Sequence, residues 1–91
     1  MSVSLDRFRA KLVIKILYAR SVAETERFIR TAISAMEKGK VNAQVITRFV
    51  DCVINQLNVF QPSNRPPLQW DNIEAATRSL LQIRRSIDFA L

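Results

Sequence analysis

Histidine is absent from this chain, and cysteine and glycine occur once each among its 91 residues. The first absence removes the side chain that most readily exchanges protons near neutral pH, and with it the commonest metal ligand. Cys52 is the one thiol, so an intramolecular disulfide and a thiolate-rich zinc site are both excluded. Gly39 is the one glycine, which leaves no Gly-rich loop to cradle phosphates. No apolar stretch approaches the roughly 20 residues that a membrane-spanning helix needs. The eight acidic residues are scattered along the chain without the spacing of a calcium loop. These absences lead to the expectation of a non-catalytic protein with no cofactor and no metal.

What is present is apolar and basic. Residues of the AVILMFWYC set make up 48% of the chain, enough to offset the entropy of ordering, so residues 1–91 are expected to form a single helical domain. At this length the core is thin, and a partner subunit would help to stabilise it. The lone Cys52 fits a reducing compartment, and a cytoplasmic location is expected. Near the start, Leu12-Val13-Ile14 is interrupted by Lys15 with no small-residue cleavage site beyond, which disfavours a secretory signal. An Arg-rich amphipathic presequence is the alternative there.

Apolar periodicity predicts an all-α fold, a compact bundle of four short helices at about residues 5–19, 22–38, 43–59 and 72–90. In the first, Leu5, Phe8, Leu12, Ile16 and Ala19 recur on one side. Ser21-x-x-Glu24 reads as a capping box opening the second, in which hydroxyl and carboxylate each satisfy a free amide. Lys38 and Gly39 supply a cation for its last turn and a residue suited to the left-handed position beyond it. Asn42 is the expected cap of the third helix, which carries Ile46, Phe49, Val50, Val53, Ile54 and Leu57. Its β-branched content would suit a strand, but the polar residues Gln44, Thr47, Arg48, Asp51, Asn55 and Asn58 collect on one helical side. Residues 61–70 contain three prolines and form a stiff connection that no helix crosses, with Arg65 and Trp70 anchoring it by packing. Asp71 then reads as the cap of the fourth helix, with Glu74 at its third position and Trp70 as an apolar staple. Its stripe is Ile73, Ala76, Leu80, Ile83, Ile87 and Leu91.

No breaker separates the first two helices, so a single merged rod is the alternative. At 100° per residue, the apolar side of Val22–Met36 lies roughly opposite that of Leu5–Ala19. A rod would therefore face its two apolar halves in opposite directions, which favours a turn at Arg20-Ser21.

Three groups of residues are candidates for contact with partners. Arg7, Lys11 and Lys15 fall on consecutive turns of helix one with Tyr18 along the same side, and residues 1–20 hold five cations against one acid. Such a stripe suits an acidic protein partner, phosphates or an anionic surface; a plain solvated face is the competing explanation. Arg78, Arg85 and the aromatic Phe89 form a second basic group, although Glu74 and Asp88 are in reach of Arg78 and Arg84 as helix-surface partners. A surplus of apolar surface on helices one and three offers Val13, Leu17, Val45 and Phe49 as interface anchors, unless those helices are central in the bundle. Helix three could serve as a recognition helix only weakly, since Arg48 is its one outward cation. The expected function is a non-catalytic protein–protein interaction or oligomerisation module docking through helix faces, a homodimer in the first instance. The alternative is a small nucleic-acid-binding protein that uses the helix-one stripe.

Overall fold

The computed structural model describes residues 5–60 and 65–90, the side chains of residues 88–90 excepted. Four helices account for it: α1 (Leu5–Leu17), α2 (Val22–Lys38), α3 (Ala43–Leu57) and α4 (Pro67–Ala90). The all-α bundle anticipated from periodicity is what forms, and α3 is a helix rather than a strand.

A break separates α1 from α2, as the opposed apolar faces require. The amides of Tyr18 and Ala19 still reach back to the carbonyls of Ile14 and Ile16, at 3.1 and 3.4 Å. Ala19 then turns inward and is buried. At Ser21 the chain is extended, and its Oγ accepts the amide of Glu24 at 3.1 Å. The reciprocal arm of this capping box is displaced by one residue, because Glu24 Oε1 accepts the amide of Arg20 at 2.9 Å. Thr25 is fully buried just inside the helix, its hydroxyl donating to the Ser21 carbonyl at 3.3 Å. Intrahelical back-bonding of this kind satisfies a polar group that core packing would otherwise strand.

At the far end of α2 the structure departs from expectation. Gly39 has φ −78°, and Lys40 takes the left-handed position with φ 58°. The reason is register: the helix ends at Lys38 as expected, but Gly39 is its C-cap, so the left-handed position beyond the cap falls to Lys40. The amide of Val41 bonds the carbonyl of Met36, and that of Lys40 bonds Glu37, both at 3.0 Å, which is the double closure of a Schellman motif. Val41 packs against the core below it. Asn42 caps α3 as expected, its Oδ1 accepting the Gln44 amide at 2.7 Å.

The start of α4 also differs. It begins at Pro67, so Asp71 is an interior residue and not the cap, and Trp70 is not a staple residue ahead of it. The amide of Trp70 already bonds the carbonyl of Pro66 at 3.2 Å. Proline suits the first helical position, where its φ is preset and its missing amide would have had no partner. Residues 67–70 of the expected connection are thus helical; 61–64 lie outside the described residues. Anchoring by Arg65 and Trp70 does occur. The Arg65 guanidinium lies 4.3 Å above the Phe60 ring and donates to Gln69 Oε1 at 3.3 Å, while Trp70 packs on the core.

The core is a single cluster centred on Ile16, Ile29, Val50, Val53, Leu57, Ala76 and Leu80. Each large aliphatic side chain so buried contributes about 1.5–3 kcal/mol. α1 and α4 each pack against all three other helices, whereas α2 and α3 scarcely touch despite being consecutive. Contacts fix the directions. Asn72 near the start of α4 meets Ala19 just past the end of α1, and Arg84 near the end of α4 meets Asp51 midway along α3. Lys15 late in α1 lies over Phe28 early in α2. α1 therefore runs antiparallel to both α2 and α4.

The Asn72 contact was not foreseen. Its side chain is fully buried, and Nδ2 donates to the Ala19 carbonyl at 2.9 Å. One bond so ties α4 to the turn that sets the angle between α1 and α2. Asn72 Oδ1 has no partner among the described residues.

Candidate functional site

The apolar anchors expected from sequence are not a surface. Val13, Leu17 and Phe49 belong to the chain's own core, and Val45 is half-buried. Phe49 stacks at a tilt on Phe8, ring centroids 5.4 Å apart. The physical reason is the central position of α1, which touches every other helix and so must bury a wider arc than a helix lying on one neighbour. The remaining exposed large apolar residues among those described, Leu5, Ile14, Tyr18, Val59, Leu68 and Leu81, include one pair four residues apart, Ile14 on α1 and Tyr18 just past its end.

The cationic stripe does face solvent. Arg7, Lys11, Lys15 and Tyr18 are all exposed, and the pair Ile14 and Tyr18 lies alongside them. Beside the stripe runs a cleft of about 130 Å³ between α1 and α2. Its floor is Phe8, Leu12, Phe28 and Ala32; Lys11 and Lys15 stand on the α1 bank, Thr31 and Ala35 on the α2 bank. The Lys15 ammonium sits 5.6 Å from the centroid of the Phe28 ring, a cation–π contact that holds the charge at the rim.

Thr31 and Ala35 are shared with a shallow depression along the outer face of α2, lined further by Arg27, Arg30, Ser34 and Lys38, with Glu26 at its edge. The basic surface is accordingly wider than helix one. Those α2 cations were overlooked in the sequence, although Arg27, Arg30, Ser34 and Lys38 recur at helical spacing opposite Ile29, Ile33 and Met36. Among the described residues the ion pairs are Arg9–Asp6 at 3.4 Å and Arg84–Asp51 at 3.1 Å. Arg7, Lys11, Lys15, Arg27, Arg30 and Lys38 are in neither.

This chain has no significant match among protein-family models, curated proteins or solved structures. Its reading rests on its own geometry.

The second basic group does not converge with the first. Arg78 lines a separate depression with Phe60, Trp70 and Glu74, and Arg85 is exposed seven residues further along α4. The expected Glu74–Arg78 pair is not among the ion pairs of the described residues, and Arg84 reaches across to α3. The side chains of Asp88 and Phe89 lie outside the described residues. On α3, Thr47 donates to the Ala43 carbonyl at 3.0 Å and Asp51 holds Arg84, so only Gln44 and Arg48 of its N-terminal polar face remain unengaged and exposed. Cys52 is exposed. No helix among the described residues is long and apolar enough to cross a membrane.

Proposed function

We propose that this chain is a non-catalytic binding module that docks an acidic partner on the joint outer face of α1 and α2. The observation that carries the reading is the gathering of Arg7, Lys11, Lys15, Arg27, Arg30 and Lys38 on two adjacent helices, outside both intramolecular ion pairs. Like charges collected on one surface repel each other and are relieved by a polyanionic partner, which such a field also steers into contact. The case for a homodimer built on Val13, Leu17 and Phe49 loses its support, since those side chains are already buried.

The test is binding of fluorescent polyglutamate across an ionic-strength series. Affinity falls as salt rises, and reversing Arg7, Lys11 and Lys15 to Glu weakens low-salt binding by on the order of tenfold or more. Reversing Arg78 and Arg85 leaves it nearly unchanged. No binding at low salt, or equal loss from both variants, refutes the reading.

A further inference from the structure

We infer that the α1–α2 cleft is a socket for one aliphatic side chain of an acidic helical segment, whose carboxylates pair with Lys11 and Lys15 along its α1 bank. The inference rests on the binding reading above and specifies the partner's chemistry. The cleft has an apolar floor and a cationic rim, so a purely anionic ligand would meet the rim and leave the floor wet. Its volume of about 130 Å³ is comparable with the roughly 150 Å³ of an apolar cavity that accepts benzene, room enough for an isobutyl group. Lys11 and Lys15 are one helical turn apart, about 6 Å along the axis. Carboxylates at i and i+4 of a partner helix have that same spacing, and Arg7 extends the match to a third turn. Ile14 and Tyr18 on the adjoining side of α1 give such a helix apolar surface to lie against, the helix-in-groove mode of peptide recognition.

Nucleic acid fits the cleft less well. Stacking on bases needs open aromatic faces, but Lys15 lies over Phe28 and the Phe8 ring packs on Phe49. Apart from the two lysines, Thr31 is the one lining residue with a polar side chain, too little to read a base edge.

The probe is a labelled 15-residue peptide with Glu on three consecutive helical turns and one central Leu. It is compared with the same peptide carrying Ser for Leu, with polyglutamate of equal charge, and with a single-stranded oligonucleotide of equal charge. The Leu peptide is expected to bind about tenfold tighter than the Ser peptide, the effect of burying one aliphatic side chain. Ala35→Met, an exposed position on the cleft's bank, fills the socket and abolishes that preference while polyglutamate binding persists. Thr31→Met is the second filling variant, and circular dichroism verifies that both fold. Equal binding of the Leu and Ser peptides, an undiminished preference in both filled variants, or tighter binding of the oligonucleotide than of the Leu peptide overturns the socket and leaves polyanion binding standing. Failure of every probe at low salt overturns the functional reading itself.

Discussion

Asn72 is the residue at which one substitution should do most to the architecture beneath the basic face. It is fully buried, donates to the Ala19 carbonyl at 2.9 Å, and leaves Oδ1 without a partner among the described residues. Asn72→Ala strands that carbonyl in the core at about 1–3 kcal/mol. Part of the side-chain volume is lost as well, so a total near 2–4 kcal/mol is expected. Asn72→Leu loses the same bond but keeps the space filled, so it should cost less than Asn72→Ala. Asn72→Asp is nearly isosteric yet sets a carboxylate oxygen against the Ala19 carbonyl oxygen, and above neutral pH it should be the worst of the three, since a buried unpaired charge costs several kcal/mol. A protonated carboxyl can donate where the amide did. Burial raises the folded-state pKa of the introduced acid above its unfolded value near 4. The variant is therefore closest to wild type below about pH 4 and loses stability as pH rises through the folded-state value. Urea unfolding followed by Trp70 fluorescence and far-ultraviolet circular dichroism measures the series. A loss of about 2–4 kcal/mol at a urea slope of about 2 kcal/mol/M moves the midpoint by roughly 1–2 M. If Asn72→Ala costs under about 0.5 kcal/mol, or Asn72→Asp matches it at pH 7 and is flat with pH, the buried bond is not what joins α4 to the α1–α2 turn.

Three further outcomes follow from local geometry. Lys40 holds a left-handed φ of 58°, so Lys40→Gly should stabilise by about 1 kcal/mol, read as a rise of the thermal midpoint by several degrees. Gly39→Ala should be tolerated, because its φ is ordinary and an added Cβ would come no nearer than 3.4 Å to the Ala35 carbonyl oxygen; a large loss there would place the left-handed residue wrongly. The Arg84–Asp51 pair is partly exposed, and a double-mutant cycle with Ala should give a coupling of about 0.2–1 kcal/mol that shrinks in salt. Coupling of several kcal/mol would mean that the pair is far less solvated than its exposure indicates.

Much of the local structure was legible because its causes lie within a few residues. Ser21 and Asn42 open their helices through a side-chain oxygen that reaches two or three residues ahead, and that reach is written in the sequence. At α4 the local signals mislead: Asp71 and Glu74 look like a cap, but Pro67 starts the helix five residues sooner than the expected residue 72. Two local signals competed, and proline's preset backbone prevailed over the carboxylate. At the end of α2 the glycine signal was right in kind and wrong by one position, since closure of the Schellman bonds selects whichever residue lies beyond the last helical turn.

By itself, then, the sequence determined four amphipathic helical segments and the exposure of Arg7, Lys11, Lys15 and Tyr18, and it favoured a break between the first two helices over a merged rod. Helical period and end-capping act over three or four residues and need no knowledge of neighbours. Tertiary structure alone decided that Val13, Leu17 and Phe49 are core, that Asn72 holds a carbonyl 53 residues away, and that α2 adds Arg27, Arg30 and Lys38 to the stripe of α1. These outcomes depend on which helix lies against which. Amphipathic stripes of similar width can be paired in more than one order, and the order is settled only when side chains from all four helices fill one core without voids.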